Sequence, residues 1–360
     1  MSSYTEFHKL KKVMIGRAHS SDDINIEGLS SSSESLLKKL LDETEEDLLK
    51  FVDICKTFGA EVVRPDYSHQ DFDTKDQAAF GKKEIKDVFF KAYPYLLIPR
   101  NNLIALDNKI ICVNSDETIK NDYTKCLDDE VIWNEYTIND NLKTSSIVRL
   151  GKDIIVDKQK YQRSNTRKGV SFLSNWLEPL GYNIIYTPYH NFKFFDGVSH
   201  GDSCLALLKP GVLITHPKAI MYTREIFIGW DGCTVGRDSN KDLISRWHEN
   251  RRVGFSYAHM GNEFDDAAFN TVITDWFQNW LGYANETVFD INVFSLDEHH
   301  VVVSNYNERM FTFFKKHKIE PIICNFRHRY FWDAGWHCLT ADLKREGTRG
   351  RYLLRHKKMD

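Results

Sequence analysis

Short apolar segments come in pairs along this chain, and this pairing limits the possible fold more than any other feature. Residues 292–296 and 300–304 form one such pair of predicted strands. A predicted helix at residues 306–317 and a further strand at residues 320–324 follow them. Strand pairs followed by a helix recur about five times, although no sequence repeat is visible, and this order predicts an α/β fold.

The N-terminal region has the same order of elements. Residues 11–16 predict a strand, and residues 36–58 predict a helix because their apolar side chains recur at helical spacing. Residues 60–65 predict a short strand that ends at a proline, and the serine-rich residues 20–35 predict an exposed connection. The other predicted elements are strand segments within 95–100, 103–106, 109–113, 145–156, 182–186 and 199–214 and a helix at 165–180.

Composition excludes several classes of protein. With 360 residues, 42% of them hydrophobic, the chain can bury a large core, and 13% aromatic residues argue against disorder. The net charge of -3 gives no strong field for nucleic acid or an anionic membrane. No apolar run approaches the roughly 20 residues of a membrane span. We therefore expect neither nucleic acid nor membrane as a partner.

The cysteines and the N-terminus point to a reducing compartment. The seven cysteines are odd in number and scattered, and no Cys-x-x-Cys pair occurs, so neither a disulfide framework nor a zinc knuckle is indicated. The first eight residues lack the apolar core of a signal peptide. These features predict a cytoplasmic protein.

Residues 331–347 carry the cysteine of greatest interest. Cys338 follows Gly335 and His337 and precedes a run that alternates apolar and polar residues, as in a loop that delivers a thiol to the start of a strand. Most free cysteines are small buried hydrophobes, and the local sequence alone favours that interpretation for Cys338.

A second segment, residues 199–214, changes this interpretation. His200 and Asp202 stand two residues apart, so on an extended segment both side chains point to one face. Two predicted strands follow, separated by a Pro-Gly turn at 210–211. An imidazole, a carboxylate and a distant cysteine are the parts of a thiol nucleophile system, whose members meet in space rather than in sequence.

In this order the two segments resemble the amidinotransferase family, which includes glycine amidinotransferase and inosamine-phosphate amidinotransferase. The family has a His-x-Asp strand with a Pro-Gly turn and, near its end, a glycine-rich loop with His-Cys. Residues 10–18, the helix and strand within 43–66, the strands within 99–112, and residues 149–154 resemble further landmarks of the family. The resemblance covers nearly the whole chain outside a predicted insertion at about residues 223–285.

The resemblance implies one domain over residues 1–360 with the pentein fold, a five-bladed α/β propeller of ββαβ modules. It also implies that Cys338 attacks the guanidino carbon of a donor such as arginine, that His200 transfers protons, and that Asp202 binds the guanidinium. An amine acceptor then takes the amidino group. The partners are small molecules, no metal or organic cofactor is needed, and the oligomeric state stays open between monomer and homodimer.

The resemblance extends to substrate binding, with departures. Asn101 and Ser146 stand where the family has aspartates, and Ala219, next to Lys218, stands where it has an arginine that binds the donor's carboxylate. These changes predict altered substrate choice and weak binding of free L-arginine. The expected substrate-binding residues are Arg100, Asn101, Ser146, Ser199, Lys218, Asp290 and Gly335.

Two other classes of function remain open from the sequence. In a hydrolase of the same fold, water would replace the acceptor amine. A non-catalytic pentein would bind a ligand or a partner without turnover. The insertion carries interleaved aromatic and basic residues, which can stack on nucleic-acid bases, but acidic residues accompany them and favour a helical insertion beside the site.

Overall fold

The strands of the computed structural model form five three-stranded sheets of one design. In each sheet the middle strand pairs antiparallel with one neighbour and parallel with the other. The structure describes residues 3–25, 30–65, 83–84, 97–106, 109–112, 122–127, 131–133, 144–156, 174–187, 202, 205–219, 225–235, 290–332 and 334–353. The strands of these residues are β1 (Leu10–Ile15), β2 (Ile24–Asn25), β3 (Glu61–Val63), β4 (Lys83–Glu84), β5 (Leu103–Leu106), β6 (Lys109–Cys112), β7 (Val131–Trp133), β8 (Ile147–Leu150), β9 (Asp153–Val156), β10 (Asn183–Tyr186), β11 (Leu205–Lys209), β12 (Val212–Thr215), β13 (Asp231–Thr234), β14 (Phe294–Ser295), β15 (His300–Val303), β16 (Glu320–Ile323) and β17 (Thr340–Arg345).

The sheets follow the chain in order, except that the last strand returns to the first sheet. The sheet orders are β17-β1-β3, β5-β6-β7, β10-β9-β8, β11-β12-β13 and β14-β15-β16, and β2 and β4 form a separate two-stranded sheet. Four of the sheets contain a strand pair that the sequence predicts, and the first sheet contains the two strands of the predicted N-terminal module together with β17. Three α-helices have bounds within the described residues: α1 (Ser31–Thr57), α2 (Glu308–Lys316) and α3 (Arg329–Trp332).

The first sheet joins the two ends of the described chain. β1 pairs antiparallel with β17, where Ile15 faces Thr340, and parallel with β3, where Lys12 faces Glu61. Because Cys338 lies two residues before Thr340, this closure fixes the position of the cysteine relative to the N-terminal strand.

Helix α1 makes the crossover that the parallel pair β1 and β3 requires. It begins five residues earlier than the predicted helix because the Ser30 hydroxyl accepts a hydrogen bond from the Ser33 backbone N–H, which caps the helix. The prediction of an exposed connection at residues 20–35 is therefore wrong for its last five residues. The buried face of α1 contributes several leucines and Phe51 to a core cluster that also contains Trp336 and Cys338.

The four other sheets contain strands at most of the predicted positions. Tight turns at glycines with positive φ join β8 to β9 (Gly151, φ 67°) and β11 to β12 (Gly211, φ 81°). Pro99–Asn101 is a 3-10 turn and not part of a strand, because proline has no N–H for a sheet ladder. Of the predicted helix at 165–180, residues 165–173 lie outside the described residues, and residues 174–177 are helical.

The predicted insertion at 223–285 is described only at residues 225–235. These residues include β13, which pairs parallel with β12, so this part belongs to the fourth sheet, and the insertion itself stays a prediction. Residues 236–289 lie outside the described residues. Among the helices that the structure describes, none is both long enough and apolar enough to cross a membrane.

Candidate active site

The Cys338 thiol lies near the end of a mostly buried loop, residues 334–339, which leads into β17 and is called the thiol loop below. Trp336 anchors this loop: its indole N–H donates to the Cys324 carbonyl at 2.8 Å, and its ring stacks on Phe51 with centroids 4.4 Å apart. Cys338 is only 4% exposed. The alternation that follows Cys338 in the sequence is strand β17, so the prediction of a thiol placed at the start of a strand agrees with this arrangement.

Asp202 lies beside the thiol although 136 residues separate them in sequence. Its Oδ2 is 3.2 Å from Cys338 Sγ and 3.1 Å from His337 Nδ1. The Asp202 side chain is 3% exposed and that of His337 12%. The structure thus brings together a carboxylate, a thiol and an imidazole in a buried polar site. Ser199, His200 and the rival cysteine Cys204 lie outside the described residues.

The surroundings of Cys338 keep its thiol protonated in the absence of a ligand. Burial raises the pKa of the thiol well above its ordinary value, and the Asp202 carboxylate raises it further. Hydrogen bonds from the Gly335 backbone and the Asn292 side chain act in the opposite direction. Formation of a thiolate at Cys338 is therefore opposed first by burial and second by the charge of Asp202.

Arg100, a predicted substrate-binding residue, lies in a buried ion-pair cluster beneath the thiol loop. Its Nη2 donates to Asp342 Oδ1 at 2.5 Å, and its Nε donates to the His337 carbonyl at 3.4 Å. Arg149 and Arg345 also bind Asp342, the latter at 2.6 Å. The Arg100 side chain is 1% exposed, and its two contacts tie the turn that carries it to β17 and to the thiol loop.

The other predicted substrate-binding residues are placed as follows. Asn101 ends the 3-10 turn that contains Arg100, and the carbonyl of Arg100 accepts from Thr144 in the turn that contains Ser146. Asp290 is buried just before the segment that carries Asn292. Gly335 lies in the thiol loop.

Ala219 and Lys218 belong to one 3-10 turn after β12. Ala219 is fully buried in an apolar cluster that includes Phe7 and Val148. At the position where the resemblance implies an arginine, the side chain is therefore a methyl group that packs in the core.

Three polar residues at the site were not selected from the sequence. Asn292 contacts both the sulfur and the backbone of Cys338, and His337 contacts Asp202. Glu6, which is 6% exposed, has its Oε2 3.8 Å from His337 Nε2. The signal for Asn292 was an asparagine at the start of an apolar segment, and the signal for His337 was its place directly before Cys338 in the Gly-x-His-Cys loop. The sequence around Glu6 has no pattern that distinguishes it from a surface residue.

Comparisons with known proteins bear on this geometry. No model of a protein family matches the chain. An L-arginine:L-lysine amidinotransferase from Pseudomonas savastanoi pv. phaseolicola is 28% identical over 219 residues, 58% of this chain and 46% of that protein. The chain thus spans about half the length of the curated relatives it matches. A solved amidinotransferase of the saxitoxin biosynthetic pathway from Microseira wollei aligns with a TM-score of 0.62 and 18% identity, over 98% of this chain and 99% of its own.

The chain thus resembles amidinotransferases over part of its sequence and shares the pentein fold of the solved ones. A solved dimethylarginine dimethylaminohydrolase, in an adduct with S-methyl-L-thiocitrulline, has the same fold with a TM-score of 0.55 and 10% identity, covering 92% of this chain and 99% of its own. The resemblance predicted from the two sequence segments is therefore confirmed for the family and the fold. The fold alone does not separate transfer from hydrolysis.

Proposed function

We propose that this amidinotransferase relative moves an amidino group from a guanidino donor to an amine acceptor through a covalent adduct on Cys338. The observation that carries the proposal is the contact between Asp202 and the Cys338 sulfur at 3.2 Å at the end of the thiol loop. A carboxylate at that distance can hold a planar guanidinium with its central carbon next to the sulfur.

The first half-reaction forms a carbon–sulfur bond and breaks a carbon–nitrogen bond. The Cys338 thiolate attacks the guanidino carbon, and the donor's alkyl nitrogen leaves as an amine after it takes a proton. His200, which lies outside the described residues, is proposed to supply that proton after receiving the one from the thiol. The product is a positively charged amidino group on sulfur together with the free amine, which is ornithine when arginine is the donor.

Binding of the donor would activate the thiol. The negative charge of Asp202 raises the thiol pKa in the unliganded site. A guanidinium on Asp202 offsets that charge and places a positive charge beside the sulfur, so it lowers the thiol pKa. The thiolate would form where the donor is already bound, and the buried thiol would otherwise stay protected.

The second half-reaction reverses these bond changes with a different amine. The neutral acceptor amine attacks the amidino carbon, loses a proton to the base, and expels the sulfur as thiolate. The named relative uses arginine and lysine. We propose a guanidino donor and a primary amine acceptor of the same class here, with weak binding of free L-arginine because Asn101 and Ser146 are neutral and Ala219 is buried in the core.

A hydrolase is the second candidate, favoured by the shared fold of the dimethylarginine hydrolase. In that reaction a terminal nitrogen of the guanidino group leaves and the donor's alkyl chain stays on the adduct. Water then releases a ureido product. The mass of the adduct therefore separates the two candidates, since a transferase leaves only the amidino group on the enzyme.

The experiment is intact-protein mass spectrometry after incubation with a panel of guanidino compounds, L-arginine included, without an acceptor. We expect a single adduct with the mass of one amidino group, mapped to Cys338, that disappears when an amine such as lysine is added. Cys338→Ser should form no adduct, and Cys55→Ser, at another buried cysteine, should form it normally. Full turnover by Cys338→Ser, or an adduct that retains the donor chain, would contradict the proposal.

A further inference from the structure

The Asn292 carboxamide holds Cys338 by its sulfur and by its backbone. Its Nδ2 donates to Cys338 Sγ at 3.1 Å, and its Oδ1 accepts from the Cys338 backbone N–H at 2.9 Å. The same Nδ2 donates to the Asp202 carbonyl at 3.2 Å. Asn292 is 3% exposed and lies just before β14, 46 residues from Cys338. One side chain thus links two segments of the active site at the reacting atom.

The orientation of this carboxamide follows from its partners. The Cys338 backbone N–H is a donor, so the amide oxygen must face it, and the amide nitrogen must then face the sulfur and the Asp202 carbonyl. A flipped amide would place two donors against each other. The hydrogen bond to sulfur is therefore an N–H donor bond, which favours a thiolate over a thiol.

Gly335 makes the close approach of Asn292 possible. A Cβ atom at Gly335 would lie 2.6 Å from Asn292 Cβ and 2.8 Å from its Oδ1. The Asn292 backbone carbonyl also accepts from the His337 N–H at 3.4 Å. The thiol loop is therefore packed directly on Asn292, which leaves the carboxamide little freedom to move away from the sulfur.

We propose that Asn292 is a further catalytic residue, a neutral N–H donor that stabilises the Cys338 thiolate before attack and again when the sulfur is expelled. This inference rests on the proposed function for its role in turnover, but the hydrogen bond to the thiolate can be tested without any substrate. Asn292 gives up no proton in either step. The thiol proton leaves to the general base, and the amide hydrogen stays on nitrogen.

A neutral donor suits a site that must bind a cation. A lysine or a protonated histidine next to the sulfur would stabilise the thiolate more strongly, but it would also repel the guanidinium that Asp202 binds. The amide hydrogen bond opposes the effect of Asp202 on the sulfur without adding charge. Asn292 therefore accounts for how a thiolate can form between a carboxylate and an apolar core.

The test is the pH dependence of alkylation of Cys338 by iodoacetamide, followed by mass spectrometry of the peptide that contains it. Asn292→Leu removes both side-chain hydrogen bonds without adding charge. Asn292→Asp keeps an acceptor for the Cys338 N–H and loses the donor. In both variants we expect the midpoint of the rate profile to rise by about one pH unit or more. Below the midpoint alkylation should slow about tenfold, and the high-pH plateau should be regained.

A control separates this effect from general loss of stability. Asn307 caps α2 by accepting from the Met310 N–H, away from the thiol, so Asn307→Ala should lower the thermal midpoint and leave the alkylation midpoint unchanged. If Asn292→Leu does not fold, Asn292→Ala replaces it with the same expectation, because an alanine side chain has neither a donor nor an acceptor.

Two outcomes would overturn the inference. An unchanged midpoint in Asn292→Leu would mean that the amide only ties two segments together. A rise in Asn292→Asp alone would mean that added charge, and not the lost donor, moved the midpoint. Iodoacetamide does not need a guanidino-binding site, so the alkylation midpoint can be interpreted even if the protein transfers no amidino group. The two proposals can therefore fail separately.

Discussion

At the residue scale, the negative charge of Asp202 has two opposing effects. As an anion it suits a guanidinium, but its Oδ2 lies 3.2 Å from the Cys338 sulfur and raises the thiol pKa. His337 donates to the same oxygen at 3.1 Å, depending on its tautomer, and so competes with the thiol for it. In the proposed mechanism the same carboxylate would bind the guanidinium and, in the unliganded site, raise the pKa of the thiol.

Asp202→Asn should separate these two effects. Loss of the negative charge lowers the thiol pKa, so alkylation of Cys338 by neutral iodoacetamide near pH 7 should become about tenfold faster. Loss of charge-assisted hydrogen bonds to the donor should reduce amidino transfer by about ten- to a hundredfold. Alkylation rates and turnover measured on the same preparation check both. Slower alkylation in the variant would contradict the electrostatic role.

At the element scale, α1 supports the segment that leads into the thiol loop. The Trp332 indole N–H donates to Thr44 Oγ1 at 2.8 Å, and the Arg327 backbone N–H donates to Asp47 Oδ2 at 2.8 Å. Phe51, one turn further along α1, stacks on Trp336. The helix that completes the first module thus also fixes the approach to Cys338, because the two segments bury each other's polar groups.

Thr44→Val should destabilise the protein by about 1–3 kcal/mol, because it leaves the buried Trp332 N–H without its acceptor. Thr57→Val is the matched control. Both threonine hydroxyls donate to the carbonyl four residues earlier, but Thr57 lies at the exposed end of α1. Urea unfolding of the two variants gives the comparison. Equal changes in the free energy of unfolding would show that the contact with Trp332 contributes nothing.

At the scale of the whole molecule, Asp342 joins distant modules beneath the active site. Arg100, Arg149 and Arg345 all bind its carboxylate, and Arg149 also donates to Ser3 Oγ at 2.6 Å. Burial alone would raise the pKa of Asp342, but Arg149, Arg100 and Arg345 hold it well below its usual range. The N-terminal segment, β8, β17 and the turn of Arg100 are thus connected through one carboxylate.

Asp342→Asn should cost about 3–5 kcal/mol at neutral pH, because it leaves three buried arginines without their counter-ion. The folded-state pKa of Asp342 is depressed, so its stabilising effect is complete above the unfolded-state value of about 4 and is lost as the pH falls below it. The difference in the free energy of unfolding between the two proteins should therefore shrink below about pH 4. A difference that stays constant down to about pH 2.5 would contradict this role.

The sequence by itself determined most of the strand-pair modules and the position of Cys338 directly before a strand. Strand pairs such as β14 and β15 could be predicted from the sequence, because alternating apolar residues and turn residues reflect the conformation of only a few neighbouring positions. The Gly-x-His-Cys loop before β17 could be predicted for the same reason. The capping of α1 by Ser30 was missed because the serine-rich segment was interpreted as a connection, although serine is a common helix cap. The 3-10 turn at Pro99 was missed because the apolar residues before it were interpreted as a strand, although proline cannot donate in a sheet.

Only the tertiary structure decided which partners the polar side chains of the site contact. Arg100 directly contacts Asp342, which lies 242 residues away in the sequence, and no local pattern indicates that pairing. Asn292 reaches Cys338 across 46 residues because the thiol loop packs on it at Gly335. Such contacts depend on how separate modules meet around the site. Local patterns of hydrophobicity fix the elements, whereas the partners of a buried polar group are fixed only when those elements pack together.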